Sequence, residues 1–204
     1  MANVRSLTWQ PSLLDTAGEI AFDADFAAAR RLDLDGSGAW IEHVPLWVAG
    51  ARALFAELVE RVSWQQHRRH MYDRIVDEPR LTAWNDPALP PVVPEMAASL
   101  SVRYQRDFDS FGAALYRDGR DSVAWHGDRI PAELVEPVVA LISLGSPRVL
   151  RMRCKAAHAD ARAFRLLPGD LFVMGGTSQR TWEHSIPKVA SAGPRLSLQF
   201  RHSR

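Results

Sequence analysis

Residues 138–153 read Val138-Val-Ala-Leu-Ile-Ser-Leu144, then Gly145-Ser-Pro147 and Arg148, then Val149-Leu-Arg-Met-Arg153. A short apolar run, a turn built on Gly and Pro, and a second run describe two strands joined by a tight connection. The same texture extends in both directions. Upstream lie runs at 113–116 and 122–126, separated by Asp118-Gly119. Downstream lie 163–166, 170–174, 182–187 and 195–201, with turns at Pro168-Gly169-Asp170 and Gly175-Gly176. Short strands at this spacing predict a two-sheet jelly roll or barrel.

The preceding half is different. From Val48 to Val62, Ala51, Leu54, Phe55, Leu58, Val59 and Val62 recur at three- and four-residue intervals, which predicts an amphipathic helix. A second helix is expected to open at Pro94 and run through Met96, Leu100 and Tyr104. Both should cover one sheet, giving an α+β class. Residues 79–94 hold Pro79, Pro87, Pro90, Pro91 and Pro94, too many for a central strand, so this segment should lie at the surface. Residues 1–38, with a helix-like stretch at 26–31, read as an N-terminal extension packed on a domain spanning 39–204. Asp33-Leu-Asp-Gly-Ser-Gly38 resembles the start of a calcium loop, but its twelfth position is Val44 where a glutamate is required, so a turn is expected.

The chain has 204 residues, 24% charged and 47% hydrophobic, the balance of one globular domain and not of a disordered, collagenous or coiled-coil chain. No apolar run approaches the roughly 20 residues of a membrane span, and the first residues lack the basic-then-apolar order of a leader, so a cytoplasmic address without membrane association is expected. Cys154 is the single cysteine, which excludes an intrachain disulfide and a thiolate cage; any metal must take imidazole and carboxylate ligands. The 25 basic and 24 acidic residues nearly cancel, so a nucleic-acid partner needs a local patch.

His126 and Asp128 are one residue apart, and in extended chain such a pair projects to one side. His184, in a later strand, is available as a third ligand. Two imidazoles and one carboxylate on one face of an octahedral ion leave the opposite positions open, the set used by non-haem Fe(II) oxygenases. Taken alone the pair also fits a structural reading. Arg195-Leu-Ser-Leu-Gln-Phe-Arg201 adds weight: its odd positions share a face, while Leu196, Leu198 and Phe200 point into core. An arginine facing an open-sided metal suits the far carboxylate of a chelating keto acid.

The run from about Trp40 to Arg201 resembles the AlkB family of Fe(II)- and 2-oxoglutarate-dependent dioxygenases, which repair alkylated nucleobases. Pro79-Arg-Leu-Thr-Ala-Trp84 is similar to the family's substrate-lid segment, and Ala114-Leu-Tyr116-x-x-Gly119 to its Asn-x-Tyr-x-x-Gly motif. His126-x-Asp128, a Leu-x-Pro-Gly-Asp-like turn at 166–170, His184, and Arg195 with Arg201 follow in order. The resemblance implies a double-stranded β-helix with Fe(II) held by His126, Asp128 and His184. It implies that Arg195 and Tyr116 hold the far carboxylate of 2-oxoglutarate and that Arg201 supports the near one. The expected reaction consumes O2 and 2-oxoglutarate, yields succinate and CO2, and removes an N-methyl group of alkylated DNA or RNA as formaldehyde. A base must leave its stack to reach buried iron, which makes Trp84 and Tyr72 candidates for stacking, and Arg80 and His67-Arg-Arg-His70 candidates for backbone contact, all within a lid at about 67–94. No obligate protein partner is implied.

Three positions depart from the family pattern: Ala114 replaces an Asn that contacts 2-oxoglutarate, Gln199 replaces a small hydroxyl residue, and Ile130 replaces an acidic residue that helps read an exocyclic amine. They keep alternatives in view: an oxygenase of a non-nucleic-acid substrate, a non-catalytic jelly-roll binding module, and a zinc hydrolase, which leaves Arg195 without a role.

Overall fold

The computed structural model describes residues 18–71, 74–128 and 130–203. Strands β1 (Ala21–Phe22), β2 (Arg30–Asp33), β3 (Ala39–Val44) and β4 (Val48–Ala49) lead into helix α1 (Ala51–Arg61). The antiparallel pair β5 (Arg68–Met71) and β6 (Arg74–Asp77) and strand β7 (Leu81–Trp84) precede helix α2 (Val92–Tyr104). Then come β8 (Ser110–Tyr116), β9 (Val123–His126), β10 (Val139–Gly145), β11 (Arg148–Cys154), β12 (Ala161–Leu166) and β13 (Leu171–Gly176). The single-turn helix α3 (Ser178–Thr181), β14 (Trp182–Ile186) and β15 (Arg195–Arg201) complete the chain.

A seven-stranded sheet runs in the order β2-β3-β13-β10-β15-β8-β7, and a four-stranded sheet in the order β12-β11-β14-β9. Their pairings are antiparallel, and the two sheets form the jelly roll of an α+β fold. The period-two alternation of strands divides the core. Ala140, Ile142 and Leu144 of β10, with Leu196, Leu198 and Phe200 of β15, face α1 and α2; Val139 and Leu141 face Leu150, Met152 and Trp182 of the smaller sheet. β10 is therefore buried along its whole length. Each large apolar side chain so enclosed contributes about 1.5–3 kcal/mol.

The odd positions of β15, left over by this division, look inward between the sheets. Their cross-strand neighbours look the same way: Tyr116 opposite Arg195, Ala114 opposite Ser197, and Gly112 opposite Gln199. β7 adds Thr82 beside Ala114 and Trp84 beside Gly112. One patch of the larger sheet thus collects Arg195, Ser197, Gln199, Arg201, Tyr116 and Thr82.

The strands expected after residue 110 all form, β15 with the expected bounds. Elsewhere the structure differs. The stretch at 26–31 is not a helix: Phe26 is buried in the core, and Arg30 begins β2. The described part of the expected extension is thereby stitched into the larger sheet as its edge. Pro91 occupies the N-cap of α2, so the helix opens before Pro94. The proline-rich segment is kept off the sheet centre, as expected, yet four of its residues form the edge strand β7. Among the described residues, no helix is long and apolar enough to cross a membrane.

Candidate active site

β9 and β14 are neighbours in the smaller sheet, and their register sets His126 directly opposite His184. The two rings lie 4.3 Å apart between centroids. Asp128, two residues past His126, turns back to the same place. One ligating atom from each of the three side chains falls within 4.8 Å of the others.

Each of the three side chains is held by a neighbour. His126 Nδ1 lies 2.8 Å from the Ala124 carbonyl oxygen. A carbonyl can only accept, so Nδ1 carries the proton and Nε2 keeps its lone pair for a metal. His184 is buried, and that burial pushes its pKa from 6.5 to about 4, with the charges of His126, Arg201 and Arg80 in the same direction and Asp128 opposing them. It is neutral at physiological pH and available as a ligand. The Asp128 carboxylate accepts a hydrogen bond from Arg201 Nη2, and its backbone N–H donates to Gln179 Oε1 at 3.2 Å. Two neutral imidazoles and one carboxylate suit Fe(II) in this arrangement.

Arg201 lies at the crossing point of the site. Besides Asp128 it donates to Gln199 Oε1 at 3.1 Å, its guanidinium stands 4.4 Å from the Trp84 ring centroid, and its buried Nε has no hydrogen-bond partner. Trp84 is 47% exposed and lies across Gly112, where a Cβ would come within 2.5 Å of the indole. Glycine at 112 is what lets the ring lie flat on the sheet. Arg80 pairs with Glu78 at 3.8 Å, and its charge reaches His184.

Arg195 is 1% exposed. Its Nε donates to Ser143 Oγ at 3.2 Å, and its guanidinium carbon lies 5.2 Å from the Tyr116 ring. Among the described residues it forms no ion pair with Asp or Glu. Burial pushes its pKa below the ordinary arginine value. A buried guanidinium without an internal anion is suited to an anion from outside.

Contacts and charge link His126, Asp128, His184, Arg201, Trp84 and Arg80, while Arg195 and Tyr116 are paired with each other farther along β15 and β8. Tyr72 lies outside the described residues. Arg68, in the basic run at 67–70, is paired with Asp77 at 2.9 Å in β5 and β6. Of the departures, Ala114 sits between Thr82 and Ser197, and Ile130 packs against the inter-sheet core. Three supporting residues escaped the sequence reading. Ser143 had a signal, a lone hydroxyl in an apolar strand. Gln179 had none. Asp35 was considered only for calcium; its carboxylate accepts a hydrogen bond from Trp182 Nε1 at 2.7 Å and so braces the strand carrying His184.

The sequence profile described as the 2OG-Fe(II) oxygenase superfamily matches residues 54–204. The alkB homolog 3 dioxygenase of Bos taurus, an alpha-ketoglutarate-dependent enzyme, is 30% identical over 174 residues, covering 74% of this chain and 61% of the relative. The DNA oxidative demethylase ALKBH2 of Arabidopsis thaliana is 30% identical over 146 residues, covering 60% of this chain and 46% of the relative. The chain therefore spans about 60% of the length of the alkB homolog 3 proteins it matches. Among solved structures, a Pseudomonas putida prolyl-4-hydroxylase superposes with a TM-score of 0.55 at 20% identity, covering 82% of this chain and 94% of that one, a likeness of fold. With the ligand triad and the profile in agreement, the chain belongs to the 2OG-Fe(II) oxygenase superfamily, related in sequence to its AlkB members and using Fe(II), 2-oxoglutarate and O2.

Proposed function

We propose that this dioxygenase oxidatively demethylates N-alkylated nucleobases in DNA or RNA. The observation that carries the reading is the contact chain from Asp128 through Arg201 to Trp84: a half-exposed flat aromatic lies one side chain away from the metal triad. An extruded base stacked on such a ring presents its N-alkyl group toward the iron. The similarity to the DNA oxidative demethylase ALKBH2 of Arabidopsis thaliana supports the same substrate class.

In this reading His126, Asp128 and His184 hold the iron. Arg195 and Tyr116 take the far carboxylate of 2-oxoglutarate, with Ser143 steering the guanidinium. Arg201 balances Asp128 and the near carboxylate, while Thr82 and Ser197 offer hydroxyls on either side of the position that Ala114 leaves without an amide. Arg80 and Trp84 receive the nucleotide, and residues 67–94 act as its lid on a domain spanning 39–204, with Tyr72 a further stacking candidate. Bound iron, with O2 and 2-oxoglutarate, supplies the oxidant and leaves succinate and CO2. The methyl carbon gains a hydroxyl, and the hydroxymethyl group departs as formaldehyde. The surrounding side chains bind and orient; no side-chain acid or nucleophile is needed.

A panel of N-methylated oligonucleotides, each beside its unmodified strand, tests this reading through formaldehyde release. Formaldehyde dependent on the methyl mark, iron and 2-oxoglutarate is expected. Succinate formation without formaldehyde from any strand would move the substrate outside nucleic acids.

A further inference from the structure

Arg148, like Arg195, lies against the Tyr116 ring between the two sheets. It opens β11, sharing its inward face with Leu150 and Met152, and is 4% exposed. Its guanidinium carbon lies 5.8 Å from the Tyr116 ring centroid, with Arg195 at 5.2 Å from the same ring. Neither arginine has an ion-pair partner among the described residues. Arg148 is instead tied to backbone: Nη1 donates to the Asp118 carbonyl at 3.1 Å, and Nη2 to those of Asp121 at 3.0 Å and Pro187 at 2.6 Å, while its buried Nε has no partner.

Two buried cations on one aromatic ring are costly without an anion. Burial is the main cause that pushes down the Arg195 pKa, and the charge on Arg148 acts in the same direction. Asp121 and Asp118 act on Arg148 at longer range, and Asp121 is already paired with Arg117 at 2.7 Å. Holding the polypeptide corner together needs hydrogen-bond donors but no positive charge.

We propose that Arg148 is a second cation of the far-carboxylate subsite, setting the preference for a 2-oxo acid with a charged far end through its field and not through direct contact. The inference rests on the assignment of that subsite to Arg195 and Tyr116. A charge held several ångströms away in a dry site discriminates against an uncharged end, while its effect on the near carboxylate, common to both acids, cancels from their ratio.

The test is calorimetric binding of 2-oxoglutarate and of 2-oxopentanoate, which carries a methyl group in place of the far carboxylate, to the Mn(II)-loaded full chain. Arg148→Gln keeps donors and loses charge; Arg148→Lys keeps charge and loses the three-carbonyl geometry. The expected result is a roughly tenfold fall in the ratio of the two dissociation constants for Arg148→Gln, with Arg148→Lys within about threefold of wild type. A wild-type ratio in Arg148→Gln overturns the inference. So does Arg148→Lys with the ratio lost, and this arm decides alone where the glutamine variant does not fold. Arg195→Gln separates the premise: an unchanged ratio there removes the subsite assignment itself, whereas a fall there with Arg148→Gln unchanged removes only the role of Arg148.

Discussion

At the scale of single residues, the site depends on protonation states fixed by burial and by neighbours. His126→Ala or Asp128→Ala is expected to abolish iron-dependent turnover with a near-native circular dichroism spectrum, because His126 is on the edge strand of the smaller sheet, Asp128 just past it, and neither belongs to an apolar core cluster. Arg195→Ala deletes a charge-assisted pair worth roughly 1.5–3 kcal/mol, so the 2-oxoglutarate KM should rise about ten- to hundredfold while turnover at saturation is largely kept. An unchanged KM would remove Arg195 from the cosubstrate pocket. His184 sets a pH dependence. With its folded pKa near 4 against 6.5 ordinarily, the folded metal-free protein binds fewer protons than the unfolded chain between those values. Stability should therefore be full above pH 6.5 and fall as the pH drops toward 4, by at most roughly 3 kcal/mol. Melting temperatures of wild type and His184→Gln across that window check it, the variant showing the flatter curve.

At the scale of elements, register decides function. A slip of one residue between β9 and β14 would set His126 against Glu183 or Ser185 and turn the imidazoles to opposite faces. β7 carries Trp84 on an edge strand, and its ring lies where a side chain at 112 would stand. Gly112→Ala should therefore displace the indole from Arg201 and weaken binding of methylated oligonucleotide, measured by fluorescence anisotropy, more than it lowers the melting temperature. Equal oligonucleotide affinity would show that Trp84 is not the stacking platform.

At the scale of the whole molecule, a formal net charge of +1 leaves no long-range field to gather a polyanion. Binding must come from a few local cations around the site mouth. The logarithm of oligonucleotide affinity should then fall with the logarithm of salt concentration at a slope no steeper than about −2 for a single strand, as expected for two or three phosphate contacts. A much steeper slope would require a wider basic surface.

The strand-and-turn texture after residue 110, the alternation of β15 and the His126, Asp128 and His184 set were legible in the chain itself, because side-chain period and ligand chemistry are local properties. The family resemblance supplied roles for Tyr116 and Arg201 that spacing alone did not. What the sequence could not express were contacts between side chains far apart in the chain: Ser143 on Arg195, Gln179 on the backbone of Asp128, Asp35 on Trp182, and Arg148 and Arg195 on one Tyr116 ring. It also hid β2, since an exposed edge strand such as Arg30–Asp33 has no apolar period to read. Those partners are dozens of residues apart and meet only when distant strands and loops have come together, so tertiary structure alone decides which buried charges find a partner and which are left for a ligand.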